Sequence, residues 1–320
     1  MPMLKDRARW SGVFPATLLP FKDDGSYAID EEGLRAYGRQ FLGIPGINGI
    51  VPNGHTGEIQ TLFPEERRRV VEILASELGD ALPVISGVSA EASLEAIHHA
   101  QQAQLAGAQG ILLMPPHQWL RFGRESETAI RFVQDVASSI DIGVVIHQYP
   151  SWTKVSYSTD ELVELAKIPT MVAVKDGTRD MAKYERNIRH LRASAPEVAI
   201  LTCHDEYLLT TLTQGIDGAL VGFAGFVPHL IRDLVETALA DRLTEARAIS
   251  DHVYVLKQAV YRMGEPSADA HQRMKAAVWL LGRISSPVVR PPMPPLAPAV
   301  FDELARELTR VGMAPAVAAD

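Results

Sequence analysis

Five groups of residues in this chain have the types and spacing to do chemistry, and the first is a lysine. Lys175 closes the run Thr170-Met171-Val172-Ala173-Val174-Lys175-Asp176-Gly177. An apolar-leaning run that ends in a cation is the pattern of a buried parallel strand carrying a reactive group at its C-terminal end. With a side-chain period of two, Met171, Ala173 and Lys175 share one face and Val172 and Val174 the other, so a barrel that takes in Met171 and Ala173 takes in Lys175. Burial lowers the pKa of an amine and frees its neutral form to attack a carbonyl. The plainer reading is a strand-terminal lysine that snorkels to water or pairs with Asp176.

The second group is Pro52-Asn53-Gly54-His55-Thr56-Gly57-Glu58. Gly54 and Gly57 flank a His-Thr pair, which lets backbone amides and a hydroxyl come close to a carboxylate, although a tight turn alone would also explain two glycines. The others are Met114-Pro115-Pro116-His117, His147-Gln148-Tyr149-Pro150 and Cys203-His204-Asp205-Glu206. An amine, a carboxylate nest and a His or Tyr proton carrier fit one reaction class. The amine condenses with the ketone of a 2-oxo acid, and the protonated imine draws electrons from the neighbouring carbon. A C–C bond then breaks or forms, or a β-hydroxyl leaves, and an imidazole or a phenol moves the proton.

These groups must be held at strand ends. Short apolar runs at residues 12–19, 47–51, 83–87, 110–114, 142–147, 170–175, 198–202 and 218–222 alternate with helical stretches. Helix starts are marked by Pro64-Glu65-Glu66 and by the capping box Ser158-Thr159-Asp160-Glu161, and helix ends by Gly79, Gly107 and Gly215. Eight strands, each followed by a helix, give an α/β fold: a (β/α)8 TIM barrel, whose site lies at the C-terminal face. A doubly wound open sheet would carry a glycine-rich phosphate loop after its first strand, and none follows residues 12–19. Past residue 240 the pattern turns helical. Residues 241–263 and 267–281 read as helices broken at Pro266, residues 286–298 as a polyproline-like connector, and residues 301–311 as a last amphipathic helix. The expected division is a barrel domain over 11–240 and a C-terminal α-helical domain over 241–320, the latter given to packing and assembly.

The 320 residues carry a formal net charge of −8, which excludes nucleic acid or an anionic membrane as a bulk partner and leaves a small-molecule substrate. Cys203 is the single cysteine, so the expected setting is a reducing cytoplasm without an intrachain disulfide. Residues 1–10 lack the apolar core of a signal peptide, and no run of about 18 apolar residues occurs.

Gly54-His55-Thr56-Gly57-Glu58, with the acid- and arginine-rich helix after it, resembles the G-[ST]-T-G-E signature of the dihydrodipicolinate synthase and N-acetylneuraminate lyase family. Val174-Lys175-Asp176 is similar to that family's Schiff-base strand, Val289-Arg290-Pro291-Pro292 to its late proline-rich segment, and the likeness runs over nearly the whole chain. The resemblance implies a (β/α)8 barrel with a C-terminal helical domain, a class I lyase mechanism, no metal or other cofactor, and a homo-oligomer, tetramer or dimer. It places Lys175 as the imine-forming lysine, Thr56 and the backbone around His55 on the 2-oxo acid carboxylate, and Leu220 at the pyruvyl pocket. Departures are equally specific. His147 stands where the family has its relay tyrosine, with Tyr149 two residues on as the other candidate. Trp152 replaces the arginine that recognises a second carboxylate in the lysine-pathway enzymes, His117 replaces an interface tyrosine, and Cys203-His204-Asp205 replaces Gly-Asp-Asp. The expected activity is therefore an aldolase or dehydratase on pyruvate or a 2-keto-3-deoxy sugar acid, outside lysine biosynthesis. Trp152 and Phe223 suggest a partly apolar pocket for an aromatic or uncharged aldehyde.

Two other classes draw on the same residues. A metal-dependent lyase or hydrolase would gather His55, His117, His147 and His204 around zinc, though no H-x-H or H-x-x-E spacing supports it. A barrel that binds keto acids without turnover would account for the altered 147–150 motif. His98 and His99 are neighbours on a helix and face different ways.

Overall fold

The computed structural model of the chain describes residues 4–149, 155–262 and 269–317. Seven of the expected apolar runs form one parallel sheet: β1 (Gly12–Pro15), β2 (Ile85–Val88), β3 (Gly110–Leu113), β4 (Gly143–Gln148), β5 (Met171–Asp176), β6 (Ala199–Thr202) and β7 (Gly218–Val221), in the order β1-β7-β6-β5-β4-β3-β2. Every residue of β2, β3, β4, β6 and β7 is buried, which is why these runs show no polar alternation.

The expected eighth strand, residues 47–51, does not form a ladder. It makes isolated parallel bridges to both edges of the sheet, Ile47 with Val13 and Val51 with Ala16 on one side and Ile50 with Val84 on the other. The Val51 amide donates to the Pro15 carbonyl at 2.8 Å and the Ile85 amide to Ile50 at 2.9 Å. Pro15, Pro52 and Pro83 bring no N–H to this seam, so a continuous ladder is denied it.

A second departure concerns β5. The β4–β5 register slips between Val144 and Val145, opposite Met171 and Ala173. The slip turns Met171 outward into the sheet–helix core, while Val172 joins Ala173 in the interior. Lys175 keeps the face of Ala173, so the expectation for the amine holds although the one for Met171 does not.

The sheet's inner residues form a core of their own. Phe14, Ile85, Leu112, Val145, Leu201 and Leu220 belong to it, and Trp10 closes it from below. The indole lies so close to β4 that a Cβ at Gly143 would stand 2.6 Å from it, and its N–H donates to the Leu4 carbonyl at 2.8 Å.

The helices are α1 (Glu31–Arg39), α2 (Pro64–Leu78), α3 (Ser93–Leu105), α4 (Gln118–Phe122), α5 (Ser126–Ala137), α6 (Thr159–Ala166), α7 (Met181–Ser194), α8 (Leu208–Leu212), α9 (Phe223–Phe226), α10 (Pro228–Leu239), α11 (Leu243–Tyr261), α12 (Ala270–Leu280) and α13 (Pro298–Arg310). At α6 the Ser158 hydroxyl accepts from the Glu161 amide at 3.1 Å and the Glu161 carboxylate accepts from the Ser158 amide at 2.7 Å, the reciprocal cap expected there. Gly79, Gly107 and Gly215 all take positive φ just past helix ends. The expected break at Pro266 lies outside the described residues. No helix among the described residues is long and apolar enough to cross a membrane.

Candidate active site

A cavity of about 410 Å³ opens at the C-terminal ends of the strands. Lys175 lines it from β5, His147 and Tyr149 from β4 and its end, and Cys203, Asp205 and Glu206 from the loop after β6. His55, Thr56 and Gln60 come from the loop after residues 47–51, His117 and Leu120 from the start of α4, Val221 from the end of β7 and Gly222 from the residue that follows it. The C-terminal helices add Tyr261 and His271.

Strand pairing places Lys175 beside His147 on β4 and Leu201 on β6. Among the described residues the Lys175 ammonium makes no ion pair. Burial lowers its pKa, against the pull of Cys203 and Asp205. His147 is 2% exposed, and neither of its ring nitrogens has a hydrogen-bond partner among the described residues. Burial, then the neighbouring Lys175 charge, holds its pKa well below the usual histidine range, so the ring is neutral. It stacks on Tyr149 with centroids 5.3 Å apart and lies 5.7 Å from His55. Between these two, Gln148 faces away, exchanging hydrogen bonds with the Tyr157 backbone at 2.8 and 2.9 Å. The alternation that puts His147 and Tyr149 on one face is thus the expected one. Gly177 makes room for it: a Cβ there would fall 2.5 Å from the Tyr149 ring and 2.6 Å from the Cys203 sulfur. Burial raises the Tyr149 hydroxyl, which Arg179 partly offsets, and pushes the Cys203 thiol up to about 12.

The glycine-flanked turn is built by its own backbone. The Gly57 amide donates to Gly54 at 3.1 Å, Glu58 to His55 at 3.0 Å and Ile59 to Gly54 at 3.3 Å. Asn53 and Glu58 both sit in the left-handed region, with φ of 57° and 56°. The amides of His55 and Thr56 take no acceptor among the described residues. Burial and the Lys175 charge bring His55 down to about 3, so its ring is neutral too. Asp205 accepts from the amides of Phe223 at 2.9 Å and Gly222 at 3.2 Å and from the Tyr261 hydroxyl at 2.9 Å. Burial and adjacent Glu206 still raise it to about 7. Glu206 pairs with Arg179.

Lys175, His147, Tyr149, His55 and Thr56 therefore meet in one cavity, and Gly54 and Gly57 shape the turn without lining it. Leu220 lies one residue short of the wall, in the strand-interior core, where Val221 and Gly222 take the place expected of it. Phe223 is fully buried against Phe226 and Tyr261. Trp152 lies outside the described residues. His204 turns away from the cavity; its Nε2 is 3.1 Å from the Thr178 carbonyl and its ring stacks on Tyr207 at 4.4 Å. The four histidines considered for zinc are thus split, and among the described residues no three His, Cys, Asp or Glu side chains stand together as a metal-holding group. Sequence reasoning missed Gln60, Leu120, Val221, Gly222, Tyr261 and His271. His271, held near 4 by burial and by Lys175, sits on a helix whose sequence pattern speaks only of packing, and no motif marks it.

The model of the family described as "Dihydrodipicolinate synthetase family" matches residues 9–311. The 4-hydroxy-tetrahydrodipicolinate synthase of Methanothrix thermoacetophila is 32% identical over 301 residues, covering 94% of this chain and 96% of that protein. Among solved structures, dihydrodipicolinate synthase from Aquifex aeolicus superposes with a TM-score of 0.85 at 25% identity, covering 96% of this chain and all of the other. YagE, a prophage protein of E. coli K12 belonging to the dihydrodipicolinic acid synthase family and solved in complex with pyruvate, gives 0.86 at 24% identity, with 95% and 99% covered.

Proposed function

Because this chain belongs to the dihydrodipicolinate synthetase family and is a lyase of that family, we propose that it works by condensing Lys175 with the ketone of a 2-oxo acid. One observation carries the reading: an amine without a counterion faces a neutral imidazole and a turn with two unengaged amides, all in one cavity. The neutral amine attacks the ketone carbon, water leaves, and a protonated imine forms. That cation accepts the electron pair of the bond between the α- and β-carbons as the β-hydroxyl gives up its proton, so an aldehyde is released and the resulting enamine is reprotonated at the α-carbon, or the β-hydroxyl departs as water once the α-proton has gone. Water then cleaves the imine and returns the amine.

The amides of His55 and Thr56 and the Thr56 hydroxyl take the carboxylate, on the backbone that Gly54 and Gly57 allow. Neutral His147 accepts and returns the proton; Tyr149, stacked upon it, is the second carrier. The pyruvate bound by YagE supports a keto acid of that size as the first substrate. The 4-hydroxy-tetrahydrodipicolinate synthase activity in the Methanothrix protein's name is not carried over, because Trp152 and His147 depart from the family pattern. Residues 11–240 act as the barrel and residues 241–320 as a helical unit that supplies Tyr261 and His271 to its mouth.

Borohydride reduction in the presence of pyruvate should add the mass of the reduced pyruvyl group at Lys175. Absence of an adduct across a panel of 2-oxo acids would end this reading.

A further inference from the structure

The turn that carries His55 and Thr56 is gripped from the far end of the chain. Lys275 on α12 is 0% exposed, and its Nζ lies 2.7 Å from the Glu58 carboxylate, the last residue of that turn. The same Nζ stands 4.3 Å over the fully buried Phe21 ring, and the Arg290 guanidinium stands 4.5 Å from that ring. Arg290 in turn donates to both Glu66 oxygens at 2.6 and 2.7 Å and to the Thr61 carbonyl at 2.9 Å. The Thr61 hydroxyl closes back on the Glu58 carbonyl at 2.9 Å, and Glu66 caps α2 through the Phe63 amide at 3.0 Å.

We propose that Lys275 and Arg290 are positioning residues that fix the carboxylate-reading turn from outside the cavity. A buried ion pair is a weak source of stability, since apolar side chains of the same volume often serve as well or better; what it adds is a fixed register. Here the register concerns Glu58, a residue other than glycine in a left-handed backbone, two positions after Thr56. A Glu58 carboxylate drawn inward by Lys275 sets how the preceding amides face the cavity. One helical turn before Lys275, His271 lines the cavity wall, so a single helix governs both.

The inference rests on the 2-oxo acid reading above, and the test separates the two. Full-length wild type, Glu58→Gln, Lys275→Met, the double variant and Arg290→Lys are trapped with borohydride over a range of pyruvate concentrations, with thermal midpoints measured alongside. Glu58→Gln and Lys275→Met should each raise half-saturating pyruvate by about 10- to 100-fold, the cost of a displaced binding group, while the trapping rate at saturation stays near wild type. The double variant should recover the thermal midpoint, because neither partner is then left as an unpaired buried charge, yet keep the raised half-saturation, because the contact that holds the turn is gone in it too; recovery of both overturns the proposal. Arg290→Lys should shift half-saturation in the same direction and less. A lowered thermal midpoint with unchanged half-saturation overturns the proposal, as does a loss confined to the saturating rate. If Lys275→Met does not fold, a folded Glu58→Gln with wild-type half-saturation overturns it equally. Wild-type protein that traps no 2-oxo acid brings down the underlying reading, and this proposal with it.

Discussion

Two lysines are carried into this fold, and only one of them has a counterion. Lys275 rests 2.7 Å from Glu58 and against the face of Phe21. Lys175, on the strand interior, has no ion pair among the described residues and faces neutral imidazoles instead. Burial lowers both amines; at Lys275 the shift is opposed by the charge and hydrogen bond of Glu58, at Lys175 by Cys203 and Asp205 without a hydrogen bond. Lys275 is fully enclosed and paired, while Lys175 is unpaired among the described residues and keeps a partly exposed face towards the cavity; together these separate an amine that holds a structure from one that can react.

The sharpest way to break that contrast is to give both positions the same apolar isostere. Lys175→Met should cut turnover by roughly 10⁴- to 10⁶-fold, as expected for removal of a nucleophile, with no loss of thermal stability, since an unpaired polar group is exchanged for an apolar one. Kinetics and a melting curve on the same sample check both halves. His147→Phe should slow turnover by about 10²- to 10⁴-fold, the usual range for a general acid or base; a neutral result with a large loss for Tyr149→Phe would move the role to Tyr149. Lys275→Met should cost about 3 kcal/mol in denaturant unfolding, because it leaves the largely buried Glu58 charge without its partner.

The smallest expected effect lies in pH dependence. Asp205 is raised to about 7, so the folded protein holds a proton there that the unfolded chain releases at the ordinary carboxyl value. Its contribution is present at low pH and is lost as pH rises towards 7. Asp205→Asn should remove that fall, seen as a flatter difference in unfolding free energy between pH 4 and 7.

The sheet was legible because buried parallel strands read as short apolar runs, and six of the seven fall within a residue or two of expectation, β1 ending four residues early at Pro15. The capping box at Ser158 and the helix-ending glycines were legible for the same local reasons. What escaped depends on pairing across the sequence. A register slip opposite Val144 and Val145 turned Met171 outward, and three prolines broke the ladder at residues 47–51. Neither event leaves a mark in the strand that it changes. The site follows the same rule. Lys175, His147 and Thr56 sit at strand ends and could be found there, while Tyr261 and His271 reach the cavity only because α11 and α12 fold back over it. His204 looked like His147 in sequence, each following an apolar run, yet it turned the other way to meet the Thr178 carbonyl.

The indole of Trp10 gives the cavity a dry floor. Beneath Lys175 the strand interior is filled by Val145, Ala173, Leu201 and Leu220, and Trp10 stoppers its lower end. On the imine reading, the water that frees each product must come down from the mouth, by the route the substrates use. Whatever molecule occupies that mouth therefore sets how long the adduct lives.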